Sequence, residues 1–245
     1  MSGFADHFGG LAADYAQFRP RYPAALFGAL AARAPARGLA VDVAAGSGQA
    51  ASGLAPAFTR VVLVEPSVPQ LREAGGAAAR VAATAEALPL ASGVADALVC
   101  AQALHWIDLR RFWPEVRRVV RPGGIVAVWC YVLARITPAV DALVERFYHR
   151  TVGPYWPPER VIVDEAYRGI DFPFREAPFP SVAMRQVLTL DAFAGYLGTW
   201  SAVRRYRAAL AEDPVPPLRA ELSPLWGDGA REVTWPLHGR LGIVS

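Results

Sequence analysis

Between residues 39 and 131 the chain alternates short, almost unbroken apolar runs with segments of helical spacing, and this alternation constrains the fold more than any other feature. The runs 39–44, 61–65, 80–83, 95–100 and 125–131 read as strands. The stretches 49–57, 68–79 and 109–120 read as helices, the second weakened by Gly75-Gly76. Ahead of them a helix is predicted within 23–35, with proline at each boundary. Strands that lack polar alternation are covered on both faces, and repeated strand–helix–strand crossovers give parallel pairing. The chain is therefore of the α/β class, with a doubly wound, mostly parallel sheet flanked by helices on both faces. Such sheets bind ligands beyond the carboxyl ends of their strands, so the loops there are the candidate site.

Four loops carry chemistry. The first is Val41-Asp42-Val43-Ala44-Ala45-Gly46-Ser47-Gly48-Gln49-Ala50, a strand, a glycine turn and a helix start, where backbone can approach a ligand closely and free N–H groups meet an anion. Gly46-x-Gly48-x-x-Ala51 also satisfies a loose dinucleotide fingerprint. Glu65 ends the next strand, where a carboxylate can accept hydrogen bonds from ribose hydroxyls or, in the plainer reading, cap the helix after Pro66-Ser67. Ala83-Thr84-Ala85-Glu86-Ala87-Leu88-Pro89 follows the third strand and Cys100-Ala101-Gln102-Ala103-Leu104-His105-Trp106 the fourth. Arg121-Pro122-Gly123-Gly124 reads as a tight turn into the fifth strand.

Composition removes several function classes. All 25 basic residues are arginine, so a P-loop lysine, a kinase lysine and any lysine Schiff base are excluded. Asparagine is absent too, and the joint loss fits a GC-rich genome rather than a function. The net charge of +3 has no basic stripe behind it, only adjacent pairs such as Arg117-Arg118 and Arg204-Arg205, which disfavours a nucleic-acid partner. No apolar run approaches the roughly 20 residues of a membrane span, so the expectation is a cytoplasmic protein without a membrane partner. Cys100 and Cys130 sit in strand-like runs and read as buried small hydrophobes, and the four histidines form no zinc spacing. No metal is expected.

After residue 131 the alternation stops. A helix is predicted over 138–150, a Pro/Trp loop over 151–158 and one or two strands within 174–190. Asp191 is placed as the cap of a helix through Phe193, Tyr196, Leu197 and Trp200; a further helix is predicted over 204–212, and 232–244 reads as a closing strand.

The order and spacing of these motifs resemble class I S-adenosylmethionine-dependent methyltransferases, in a small-molecule branch similar to trans-aconitate methyltransferases. The resemblance rests on Tyr15-x-x-x-Arg19-Pro20-x-Tyr22-Pro23, Glu86-Ala87-Leu88-Pro89, Gln102-Ala103-Leu104-His105-Trp106 and Arg121-Pro122-Gly123-Gly124. It covers residues 4–131 well and is thinner beyond, although Tyr196-Leu197-x-Thr199-Trp200-Ser201 and Val233-Thr234-Trp235-Pro236-Leu237 also look like this branch. It implies a Rossmann-like seven-stranded sheet with a helical or irregular C-terminal insertion over the active site. On that reading 1–245 is a single methyltransferase domain: cap segment and helix 1–35, cofactor-binding core 36–131, substrate-side insertion and late strand 132–230, closing strand 231–245.

Carried onto this sequence, the resemblance implies S-adenosyl-L-methionine as cofactor and S-adenosyl-L-homocysteine as product. The methionine moiety would lie against Asp42 and the turn from Ala44 through Gly46 to Gly48, the ribose on Glu65, and adenine beside Thr84, Ala85 and Glu86. Ala101 and Gln102 would lie under the cofactor, with Tyr15 and Arg19 closing over it. Ala44 stands where the family has its first glycine, a methyl that is tolerable if φ is negative there; Thr84 replaces a frequent acid.

Methyl transfer from a sulfonium demands alignment and exclusion of water rather than a fixed catalytic residue. A carboxylate acceptor needs arginines; a hydroxyl needs a base, for which His105 is the candidate, against a plain packing role. The acceptor, a small molecule, would draw on Trp106, Trp129, Tyr131, Trp156, Trp200 and Arg204. A non-catalytic binding protein on the same fold and a nicotinamide oxidoreductase are the competing readings. A nucleic-acid amino-methyltransferase would carry an acid or amide followed by Pro-Pro after the fourth strand, where this chain has Ala101-Gln102-Ala103-Leu104.

Overall fold

In the computed structural model, residues 20–76 and 78–245 are described. Helix α1 (Ala24–Ala31) leads into β1 (Leu39–Val43), α2 (Gln49–Leu54), β2 (Arg60–Val64), α3 (Val68–Glu73), β3 (Ala79–Val81), β4 (Ala95–Ala101), α4 (Leu109–Val119) and β5 (Val120–Tyr131). Then come α5 (Pro138–Arg146), α6 (Val161–Asp164), β6 (Arg175–Ala177), β7 (Ala183–Thr189), α7 (Leu190–Gly198), α8 (Ser201–Leu210), α9 (Val215–Trp226) and β8 (Ala230–Ile243).

The sheet runs β3-β2-β1-β4-β5-β8-β6, parallel through β5 and antiparallel at β8 and β6, with β7 also paired to β8. Strand β8 changes partner after Pro236: its first half pairs β7, its second half β5. Proline cannot donate to a ladder and suits that change of partner. The expected α/β architecture is the one observed.

Alternation along the buried strands explains the two layers. Ala40, Ala97, Val99, Ile125, Ala127 and Trp129 pack with Leu26, Phe27 and Leu30 of α1 and with the aromatic faces of α7 and α9. Val41, Leu98, Cys100, Val126, Val128 and Cys130 pack on the other side with Phe112, Trp113 and Val116 of α4. Every residue of β1 is buried, which is why that strand shows no polar alternation. Asp108 caps α4 by accepting from the Arg110 N–H at 3.1 Å.

Most core elements lie within about three residues of their predicted bounds, but α3 ends at Glu73 rather than 79 and β5 begins at Val120, taking in the Arg121–Gly124 stretch expected as a turn; the C-terminal part also departs from expectation. Helix α5 ends at Arg146 and passes into a wide turn, Phe147–Thr151. Thr189, not Asp191, caps α7, its hydroxyl accepting from Ala192 N–H at 3.2 Å, while Asp191 pairs with Arg219 at 2.6 Å and Trp200 lies beyond the helix end. Helix α9 is unpredicted: Pro216 and Pro217 sit in its first turn, where helical N–H groups have no partner to lose. Its buried Val215, Leu218, Leu222 and Trp226 keep helical spacing. Among the described residues no helix is long and apolar enough to cross a membrane. No group of three His, Cys, Asp or Glu side chains among them is placed to hold a metal ion.

Candidate functional site

The turn between β1 and α2 is held from two sides. Asp42, buried on β1, accepts the Ala51 N–H through Oδ2 at 2.8 Å, fixing the first turn of α2. Its other oxygen, Oδ1, is buried with no hydrogen-bond partner among the described residues. Glu65, at the end of β2, accepts from Gly46 N–H and from Ser67 N–H, each at 2.9 Å, so one carboxylate ties the turn to the start of α3. Burial pushes the Asp42 carboxyl up to about 7, the Ala51 N–H opposes this, and the nearby Glu65 charge adds to it.

Three residues of the turn are left-handed: Ala44 at φ 51°, Gly46 at 55° and Gly48 at 80°. Ala44 thus contradicts the expectation of a negative φ at that position; its methyl is carried in a conformation that costs an L-residue energy. Gly48 is required twice over, by its φ and because a Cβ there would lie 2.7 Å from Leu63 Cδ2.

The other loops converge on the same edge of the sheet. Thr84 is exposed and Ala85 buried, while Glu86 accepts the Asp108 N–H at 3.0 Å, joining the loop after β3 to the one after β4. Ala101 is half-buried at the end of β4, and Gln102, at φ 55°, turns the chain away from it. Next in line, the turn Leu104–Trp106 packs against the segment Pro158–Arg160. His105 and Trp106 tilt against each other, ring centres 4.6 Å apart. His105 Nδ1 is buried without a hydrogen-bond partner among the described residues, and burial together with the Arg160 cation pushes its pKa down to about 3. A pKa lowered in this way leaves the ring neutral near pH 7 and weakens its candidacy as a general base.

The residues expected at the acceptor separate into two groups. Trp156 and Trp200 come together, ring centres 5.7 Å apart, with Tyr148 4.8 Å from Trp156 and 5.5 Å from Trp200. Arg204 stands half-buried in the first turns of α8. Trp129, in contrast, is fully enclosed between Tyr22, Phe27 and Phe179, and Tyr131 is 5% exposed with its backbone held by Gln102. The structure places Trp129 in the core rather than on a binding surface, and its position follows from strand parity with Ile125 and Ala127. Tyr15 and Arg19 lie outside the described residues. Cys100 and Cys130 are buried free thiols, as their apolar runs predict.

Sequence reasoning missed Arg160 and Tyr148. The Arg160 Nε donates to Tyr148 Oη at 3.0 Å and to Asp164 Oδ1 at 3.3 Å, and its guanidinium carbon lies 4.7 Å from the Trp156 ring centre. A cavity of about 240 Å³ opens beside this cluster, lined by Tyr148, Asp164, Val132, Leu133 and His238 among others. No periodic signal marks Arg160; the Pro157-Pro158 pair that turns it inward is the single local hint.

The parallel sheet, the left-handed turn after its first strand and the paired acids at the ends of β1 and β2 form a Rossmann-like site of the kind that holds a nucleotide-derived cofactor. The comparisons agree. The family described as "Methyltransferase domain" matches residues 41–128. A provisionally named methyltransferase of Dictyostelium discoideum is 34% identical over 226 residues, covering 89% of this chain and 86% of that protein. A Saccharomyces cerevisiae protein, provisionally named an S-adenosylmethionine-dependent methyltransferase, is 27% identical over 142 residues, about half of each chain at 54% and 49%. A solved structure from Anaeromyxobacter dehalogenans, provisionally described as a type II methyltransferase, is 46% identical, covers 92% of this chain and 98% of its own, and superposes with a TM-score of 0.87. The chain belongs to the methyltransferase domain family and is a class I S-adenosylmethionine-dependent methyltransferase.

The residues present fit that cofactor. The buried Asp42 Oδ1, without a hydrogen-bond partner among the described residues, offers an acceptor to a cationic group.

Proposed function

We propose that the chain transfers a methyl group from S-adenosyl-L-methionine to an oxygen of a small-molecule acceptor, and that this oxygen belongs to a carboxylate. The observation that carries the reading is the pairing of a cofactor turn at the ends of β1 and β2 with an aromatic, arginine-bearing crevice beside the loop after β4. The bound cofactor would supply an electrophilic methyl on a sulfonium.

The chain's own contribution is alignment. Asp42 and the turn from Ala44 to Gly48 would hold the methionine moiety, Glu65 the ribose, and the loop of Thr84, Ala85 and Glu86 the adenine. Tyr15 and Arg19 would close over the cofactor. Trp106, Trp156 and Trp200 would exclude water around the acceptor, which matters because displacement at a methyl carbon is governed by approach and desolvation. A carboxylate needs no base. A hydroxyl acceptor would need one, and His105, held down to about 3, is unsuited to that role. The balance of roles supports O-methylation of an acid.

Thermal-shift measurement tests the cofactor, and isotope transfer tests the acceptor. S-adenosyl-L-homocysteine should raise the melting temperature and NAD should not. Label from methyl-labelled cofactor should reach carboxylic acids in a mixed panel of acids, phenols and amines. Stabilisation without transfer to any acceptor would favour a binding protein, and label in phenols or amines alone would exclude the carboxylate reading.

A further inference from the structure

We propose that Arg160 is the anchor of a carboxylate-binding subsite, its guanidinium laid on Trp156 and aimed by Tyr148 and Asp164, and that it binds the acid acceptor but not the methylated product. This rests on the methyl-transfer reading above and adds to it the residue that selects the acceptor.

The Arg160 side chain is only 15% exposed, an unusual depth for a charge. One nitrogen is spoken for: Nε is shared between Tyr148 Oη and Asp164 Oδ1. Tyr148 in turn donates its hydroxyl proton to the same Asp164 oxygen, so the three groups lock each other's orientation. The terminal nitrogens, Nη1 and Nη2, hydrogen-bond to nothing among the described residues. These donors are open to solvent and so to a ligand, and a guanidinium fork matches the two oxygens of a carboxylate. The indole of Trp156, 4.7 Å from the guanidinium carbon, keeps the fork planar against an aromatic wall.

Location joins this fork to the chemistry. The segment Pro158–Arg160 packs on the turn Leu104–Trp106, which begins two residues after Gln102, the residue that follows β4. The cation is close enough to add to the burial that lowers the His105 pKa and to oppose the burial that raises that of Cys130, the neighbour of Tyr131 on β5. Arg160 therefore projects positive potential onto the ends of β4 and β5, beside the place where Ala101 and Gln102 meet the cofactor in the proposed reading.

The reaction then switches the anchor off. A carboxylate oxygen forms a bond to the methyl carbon as the carbon–sulfur bond breaks, and its electron pair stays on sulfur. Sulfonium and carboxylate become a neutral thioether and a neutral ester, with no proton transferred. The ester has lost the negative charge that the guanidinium binds, so product release follows from the chemistry.

The test uses the full chain saturated with S-adenosyl-L-homocysteine and titrates it with benzoate, cinnamate and phenylacetate and with the methyl ester of each. In the wild type at least one acid should bind about tenfold or more tightly than its ester, the scale of a charge-assisted pair. R160Q should close that gap to within about threefold while its affinity for S-adenosyl-L-homocysteine stays within about twofold of wild type. R160K, which keeps a point charge beside Asp164, should leave an intermediate gap and decides the matter if R160Q does not fold. No acid outbinding its ester in the wild type, or an unchanged gap in R160Q, or in R160K where R160Q does not fold, overturns the subsite. Failure of the wild type to bind S-adenosyl-L-homocysteine would instead overturn the cofactor reading.

Discussion

The Gln102 side chain is bonded twice to the backbone of Tyr131: Oε1 accepts the Tyr131 N–H at 2.7 Å and Nε2 donates to its carbonyl at 3.2 Å. The Gln102 N–H itself reaches Trp129 O at 2.7 Å. The β4–β5 ladder ends at the pair Ala101 and Trp129, so a primary amide stands in for the next peptide while the main chain turns away at φ 55°. This frees the following residues, His105 and Trp106, to face the crevice without leaving β5 unpaired at its end.

Removing that amide should be costly. Q102A leaves the half-buried Tyr131 N–H and carbonyl without these partners, and its stability by urea denaturation should fall by about 1–3 kcal/mol. Q102E keeps an acceptor but sets a carboxylate against the Tyr131 carbonyl, and should not recover the loss. A Q102A midpoint equal to wild type would show that the bridge is incidental.

Ala44 offers the opposite case, a residue that costs stability where it stands. Its φ of 51° disfavours an L-residue by roughly 1–2 kcal/mol, while glycine loses roughly 0.4–1 kcal/mol through the freedom of its unfolded chain. A44G should therefore gain about 0.5–1 kcal/mol in urea melts, and A44V should lose about 1–3 kcal/mol because a β-branched side chain tolerates the region least. Destabilisation by A44G would mean that the methyl makes contacts outweighing its strain.

The same residue marks where sequence reasoning stops. Strands β1 to β5 were legible because burial on both faces leaves nearly unbroken apolar runs, and the glycine turn was legible because Gly46 and Gly48 have few other uses. The φ of Ala44 was not, since alanine is at home on either side of zero only at an energetic cost that no pattern records. Trp129 was placed at the acceptor on residue type, although its parity with Ile125 and Ala127 assigns it to the α1 face. Arg160 escaped notice for a different reason. An arginine reads as solvated until a distant segment covers it, and the cover here comes from Tyr148, Trp156 and the turn at His105, up to 55 residues earlier in the chain. Helix α9 is masked by its prolines: Pro216 and Pro217 suit the first turn, while Pro224 stands inside the helix, where a proline argues against one.

Asp42 should couple cofactor binding to pH. Its carboxyl sits at about 7 in the folded chain against 3.8 as an ordinary aspartate, mainly through burial. The native state therefore holds the extra proton between those values, and stability should fall as pH rises through that window. A cationic cofactor beside Oδ1 would expel the proton, so affinity for S-adenosyl-L-methionine should rise between pH 6 and pH 8. Calorimetry in buffers of different ionisation enthalpy should register proton release, and D42N should flatten both dependences. A wild-type affinity independent of pH would separate Asp42 from the cofactor's charge.

His105 should be silent where a catalytic histidine would be heard. Burial, and secondarily the Arg160 cation, lowers its pKa from 6.5 to about 3. The unfolded chain then binds the extra proton between those values, so this residue contributes stability above pH 6.5 that is lost as pH falls toward 3. Under carboxylate methylation kcat/KM should show no limb near pH 6–7 arising from this ring. Its carbon-bound proton signals, assigned by their loss in H105Q, should stay unshifted from pH 8 to pH 5. In R160Q the midpoint should rise yet remain below 6.5, because burial is the larger cause and persists without the cation. A ring that titrates near 6.5 in the wild type, matched by an activity limb at the same pH, would restore the general base and with it a hydroxyl acceptor.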